Sequence, residues 1–489
     1  MEWHDTLLFR HYDCRSQSEW PFIKSLIGTC NFDMECRMRL LAVFNLITLV
    51  FLSFSFVISG PAFAKNKRII IDAEIHQYLT ELANPILSVA KVDLEDVKLH
   101  ILQDDALNAF VAGGKNIFLH TGLLMSTKTS QQLRGVLAHE IGHIAGGHLT
   151  RMSQAYRNAS NVVSLGSILG LAAAIASGQP QAAPTLVHGA GSIAQKTFLR
   201  HTRGQEAAAD QAAARYLIAI REGPDGLLDF LRMLKERESV SSDTIPTYLR
   251  THPLTKDRIQ FFENRTSVAN DIKKRTTHGL IERHEKMIAK LFSFLRPPSE
   301  TFLRYKKSEN SYLSKYAFAI AHHKNAESNK AQKLLNELIA TTPMDPYLWE
   351  LKGQFFFEFA KPRKARSAYQ KALSIKGDIP LIRQQLTRVE LAINSPETIS
   401  SALKNAKIAA QALPKSALSW HNLAVAQGRN GNIAMANLSL AELALLQNNM
   451  HKATLHANRA KKVLKENTPA YQRSLDIINT SKKTKKNQR

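Results

Sequence analysis

The stretch His139-Glu140-Ile141-Gly142-His143 constrains the fold more than any other part of the chain. Two histidines at i and i+4 can reach one metal ion when the backbone between them is α-helical, because they then lie about 40° apart around the axis. Leu133, Val136, Leu137 and Ile141 supply the buried stripe of such a helix and leave both imidazoles on a polar-lined face. An ordinary core has little reason to collect His-Glu-x-x-His, since burying three ionisable groups without a partner is costly. Glu140 projects beside the imidazoles toward the open side of a bound metal, where it can take a proton from water.

Two histidines do not complete a site. The three cysteines, Cys14, Cys30 and Cys36, all precede the cleavage site predicted below, so the remaining ligands must be histidine or carboxylate. His148 follows Gly146-Gly147, but it stands nine residues after His139 where the extended zinc motif needs ten, and no Met-turn is apparent, so a structural role is expected. Glu206-Ala207-Ala208-Ala209-Asp210 is the better candidate. On a helix Glu206 and Asp210 share a face, so Glu206 can bind zinc while Asp210 accepts the N–H of a ligating histidine. A solvated acidic edge is the ordinary explanation of such a pair; here it competes with the need for a third ligand.

Domain organisation begins with an export signal. Arg39 precedes an apolar run from Leu40 to Ile58, and Gly60-Pro61-Ala62-Phe63-Ala64 closes it with an Ala-x-Ala cleavage site. Residues 38–64 are thus expected to be a cleaved signal peptide, translation starting at Met38, and 1–37 an upstream extension. An uncleaved inner-membrane anchor over residues 40–58 is the competing expectation, because the run nearly spans a bilayer. The predicted domains are a metallopeptidase over 65–270, a linker over 271–305 marked by Pro297-Pro298, helical repeats over 306–480, and a basic disordered tail over 481–489. Residues 266–489 hold 38 Lys and Arg against 16 Asp and Glu, whereas 65–265 hold 22 against 19. So basic a half suggests a peripheral anionic membrane surface or acidic polypeptides, and export argues against nucleic acid.

Periodicity predicts a first amphipathic helix over Ile70–Ala90, strands at Val97–Leu102, Ala109–Ala112 and Asn116–His120 with a hairpin at Gly113-Gly114, and one helix from Leu124 to Thr150. Val162–Ala176 reads as a buried helix or a segment covering the active site. Helices are expected again at Gln195–Ile220 and Leu227–Lys235, then a Ser-rich turn at Ser239–Asp243 before Thr251-His252-Pro253. Ala331, Leu335 and Leu338 recur 34 residues on as Ala365, Tyr369 and Ala372, and Trp349 and Trp420 fit the first helix of a tetratricopeptide-like repeat. Three to five degenerate repeats are expected, with Ala436–Leu446 and Ala453–Leu464 as the last pair.

His139-Glu140-x-x-His143, followed by Glu206-x-x-Ala209-Asp210 and preceded by Asn108-Ala109-Phe110 and Gly122-Leu123-Leu124, resembles metallopeptidase family forty-eight, the HtpX and CAAX-endopeptidase group. The export signal and repeats are similar to its periplasmic branch. The resemblance implies a mainly α chain, with an α+β gluzincin-type zinc metallopeptidase domain carrying a small β-sheet, then an α-solenoid. It implies one zinc per chain on His139, His143 and Glu206, Glu140 as general base, and Asp210 behind a ligand. It further implies a periplasmic endopeptidase that degrades misfolded or misassembled exported and outer-membrane proteins, with substrate or assembly-machinery contacts through the repeats. The strand Asn116–His120 would be the edge to which an extended substrate adds. The alternative is a chaperone or assembly factor whose protease is mostly silent. Thr251-His252-Pro253-Leu254 and Arg258 also match the family and should border the site. His252 is expected either to occupy the fourth metal position and silence the enzyme, or to cap a loop or stabilise the oxyanion.

Overall fold

A computed structural model describes residues 68–112, 114–148, 203–240, 248, 252–253, 255–269, 278–308, 310–377 and 379–487. The expected extension, signal peptide and membrane anchor, the segment Val162–Ala176 and most of the Ser-rich turn lie outside the described residues.

The peptidase half opens with a short strand, β1 (Ile69–Ile70), and a long helix, α1 (Ala73–Ala90). Asp72 caps α1 by accepting the Ile75 amide at 2.8 Å, and Lys91 ends it in the left-handed conformation. The predicted stripe of Ile75, Tyr78, Leu79, Leu82, Ile86 and Leu87 is fully buried. Strands β2 (Lys98–Leu102), β3 (Ala109–Ala112) and β4 (Asn116–His120) follow. The hairpin falls as expected, with Ala112 opposite Asn116 and Gly114 at φ +96°, where a side chain would be strained. The sheet order is β1-β2-β4-β3, with β2 and β4 parallel and the outer pairs antiparallel. This corrects one expectation: Asn116–His120 lies between two strands, and among the described residues the sheet's edges are β3 and β1.

The expected helix from Leu124 to Thr150 is two helices, α2 (Thr121–Ser126) and α3 (Ser130–Ala145). Thr129 caps α3 through the Gln132 amide, and His284 holds the break open by binding the Thr127 carbonyl at 3.0 Å. Helix α4 (203–219) and α5 (Asp225–Val240) complete the apolar layer against α3, and α6 (Lys256–Ala269) packs on α5.

The expected linker is corrected as well. Its described part forms α7 (His278–Leu295) and α8 (Pro298–Tyr305). Leu280, Met287 and Leu291 of α7 belong to the peptidase core, while Ala289 enters the first core of the solenoid with Tyr316, Ile320 and Leu351. Five helix pairs then follow among the described residues: α9 (Tyr312–Lys324) with α10 (Ser328–Thr341), α11 (Pro346–Glu358) with α12 (Pro362–Ile375), α13 (Pro380–Ile393) with α14 (Pro396–Ala412), α15 (Ala417–Arg429) with α16 (Ile433–Leu446), and α17 (Met450–Lys461) with α18 (Pro469–Asn487). Each packs chiefly on its neighbours in sequence, as in an α-solenoid. Ala331, Ala365 and Ala402 are fully buried where helices cross, and Pro346, Pro362, Pro380 and Pro396 each open a helix at the position that needs no amide partner. Ala453–Leu464 is therefore not the end of the array. Where a disordered tail was expected, α18 continues through Asn487 with Ser481 buried, and residues 488–489 lie outside the described residues. No helix among the described residues is long and apolar enough to cross a membrane.

Candidate metal centre

Helices α3 and α4 set the site by how closely they approach. A Cβ at Gly142 would fall 2.9 Å from the Ala209 carbonyl oxygen, so the residue between the two histidines must lack one. That approach places Glu206 of α4 across from both imidazoles, 3.3 Å from His139 Nε2 and 3.3 Å from His143 Nε2. His139 Nε2 and His143 Nε2 are 3.1 Å apart. His252 enters from outside both helices, with Nδ1 3.1 Å from Glu206 and 3.3 Å from His139 Nε2. Donor atoms of His139, His143, Glu206 and His252 all lie within 4.8 Å of one another and could hold a metal ion.

The surroundings favour a cation among these donors. His139 Nδ1 lies 2.9 Å from Asp210, which fixes the tautomer that leaves the Nε2 lone pair facing the cluster. Burial alone would lower the His139 imidazole, yet Asp210 and Glu206 lift it to about 9. Burial would likewise raise Glu206, but His139, His143 and His252 hold it far below the carboxylate range. In His143 burial prevails and the imidazole sits below its ordinary value. Asp210, raised by burial, is held down by Arg258 and His139; the Arg258 guanidinium binds it through Nε at 2.6 Å and a terminal nitrogen at 2.9 Å. Two imidazole nitrogens turned toward each other beside a carboxylate form the His/carboxylate donor set of a metal centre.

Glu140 is fully buried, and neither of its oxygens has a hydrogen-bond partner among the described residues; the nearest cationic candidate is His252 Nε2 at 3.4 Å. His148 also comes close, with Nδ1 3.0 Å from His143 Nδ1, and its carbonyl accepts from Gln205. It stands behind His143 rather than in the donor cluster.

The six singled-out residues, His139, Glu140, His143, Glu206, Asp210 and His252, therefore come together. Sequence reasoning missed Tyr248, whose ring stacks on His252 at 4.6 Å and whose carbonyl accepts the His252 amide at 2.7 Å. No motif announces it. Arg258 stood in a recognised stretch, but its partner Asp210, 48 residues earlier, appears only in the fold.

Residues 71–266 match the model of peptidase family M48. Among curated relatives, the beta-barrel assembly-enhancing protease of Yersinia pestis is 25% identical over 372 residues, covering 74% of each chain. That of Escherichia coli K12 is 22% identical over 68% of this chain and 69% of its own. The mitochondrial metalloendopeptidase OMA1 of Danio rerio is 28% identical over 41% of this chain and 42% of its own. Among solved structures, YrrB, a TPR protein with an unusual peptide-binding site, aligns with 36% of this chain and 91% of its own at 16% identity and a TM-score of 0.30.

Proposed function

From the premise that the chain carries a peptidase family M48 domain and is a metalloendopeptidase, we propose that it is zinc-dependent, with His139, His143 and Glu206 holding one zinc ion and Glu140 as general base. The observation that carries this reading is the convergence of those donor atoms beside a buried carboxylate, Glu140, whose oxygens have no hydrogen-bond partner among the described residues. Zinc bound there would polarise a peptide carbonyl and acidify a water molecule. Glu140 takes the proton of the attacking water and delivers it to the departing amine nitrogen. Asp210 orients His139, and Arg258 anchors Asp210. The edge strand β3, which packs on α3, is the place where an extended substrate can add main-chain hydrogen bonds beside the site.

The substrate class is misfolded or misassembled exported protein, outer-membrane proteins above all, encountered in the periplasm. The names of the relatives, the signal-like segment 38–64 and the solenoid support this reading. An assembly factor with a silent protease remains the second reading, favoured by the position of His252 among the donor atoms, where an imidazole would take the place of water.

Glu140→Gln tests the first reading. Casein hydrolysis should fall by about a hundredfold or more with zinc content unchanged near one per chain. Chelation should abolish hydrolysis, and added zinc should restore it. Undiminished hydrolysis by the variant removes Glu140 from the reaction; unchanged support of outer-membrane protein assembly by the variant favours the assembly factor.

A further inference from the structure

Where the solenoid meets the peptidase domain, four carboxylates share two ammonium groups. Lys286 of α7 bridges Glu74 and Asp345, each at 2.7 Å. Lys290, one turn on, lies 2.7 Å from Asp72 and 3.0 Å from Glu74. Glu350 of α11 is left over: its Oε2 reaches Lys290 only at 3.9 Å and has no hydrogen-bond partner among the described residues. Buried carboxylates are normally paired, and an excess of negative charge in a desolvated place calls for a cation. Burial pushes the Glu350 carboxyl up to about 7; Lys290 opposes the rise, and Asp72, Glu74 and Glu358 add to it.

Glu350 is 8% exposed and, together with Lys290, lines a cavity of about 440 Å³ between solenoid helices and β1. The other two carboxylates lining it are engaged, Asp72 by Lys290 and Glu358 by His323 and Gln354. Arg388 lies over the Phe357 ring. On the peptidase side the wall is Ile70 and Ile71, and Ile71 is 56% exposed. Strand β1 has no second partner strand among the described residues. The cavity thus combines an apolar wall suited to a methylene stem, a carboxylate that Lys290 holds only at long range, and a sheet edge alongside.

We propose that this cavity holds a lysine or arginine side chain of an extended polypeptide lying along β1, with its cationic head on Glu350 and its stem between Ile70, Ile71 and Phe357. The site is on the opposite sheet edge from β3, so it would hold a segment of polypeptide apart from the one at the metal centre. It does not depend on the zinc chemistry proposed above, and it is read by binding alone.

The test uses the full chain in the Glu140→Gln form, so that peptides survive, at pH 8, where Glu350 is ionised. Fluorescence anisotropy compares a labelled peptide, Ser-Val-Thr-Val-Lys-Val-Thr-Val-Ser, with the same peptide bearing norleucine for lysine. The lysine peptide should bind about tenfold more tightly. Adding Glu350→Gln should erase that preference, and adding Arg388→Gln, which removes a competing cation, should enlarge it. Equal binding of the two peptides overturns the proposal. So does a lysine preference that survives Glu350→Gln in protein with an unchanged circular dichroism spectrum. Should that variant not fold, an Arg388→Gln protein with no enlarged preference overturns the proposal instead. Zinc content and casein hydrolysis, measured with Glu140 in place, report separately on the metal centre.

Discussion

Asp210 illustrates how, in the proposed zinc site, a side chain would govern a metal without being a ligand to it. Its carboxylate takes His139 Nδ1 on one side and the Arg258 guanidinium on the other, so orientation passes from α6 through α4 to α3. Asp210→Asn is expected to weaken zinc binding by about 10- to 100-fold, measured by competition with a chromogenic chelator. His252 offers a prediction with a sign. As an occupant of the fourth position, its removal in His252→Ala should raise peptide hydrolysis; a fall with zinc content unchanged would assign it to oxyanion stabilisation. Helical spacing joins His139 to His143 and Glu206 to Asp210 in the sequence, but it was the family resemblance that brought the two pairs to one site. Tyr248 and Glu350 were not legible there, since what matters about them is the surroundings that other elements bring up.

Between elements, the fit of α3 against α4 has little tolerance. Gly142→Val should force the helices apart at Ala209, costing about 1–3 kcal/mol and displacing Glu206. Thermal unfolding and zinc content should fall together; a stable variant that had lost zinc would separate packing from ligand geometry. The break between α2 and α3 shows why a continuous helix was expected there and not found. The apolar pattern runs through it, and only Thr129 as a cap and His284, bound to both Tyr78 and Thr127 from 157 residues beyond the latter, decide for two helices. The small-residue period of the solenoid was readable because helix crossings demand it. Its final helix was not, being too polar to show a stripe.

In the whole molecule, α7 is the element the sequence hid best, because a helix with two buried faces belongs to two cores and looks like a join between them. A fragment ending at residue 270 lacks Leu280, Met287 and Leu291, and it should melt well below the full chain or fail to fold; one ending at 295 should regain much of that loss. The ionic junction carries a pH signature in both directions. Glu74, held down to about 2 by Lys286 and Lys290 against the burial that would raise it, contributes stability that is present above about pH 4.5 and lost as pH falls toward 2. Glu350 has the opposite sign: its raised carboxyl costs stability as pH rises from about 4.5 through 7. Glu350→Gln should therefore raise the melting temperature more at pH 8 than at pH 5, and equal shifts would deny the charge imbalance. The shared helix also imposes an order of events on a chain that emerges from its N-terminus. The residues of the metal centre are all made before α7, yet the layer that supports them is complete only once α7 has followed. A nascent chain would thus carry every group proposed for cutting before the packing that aligns them is in place.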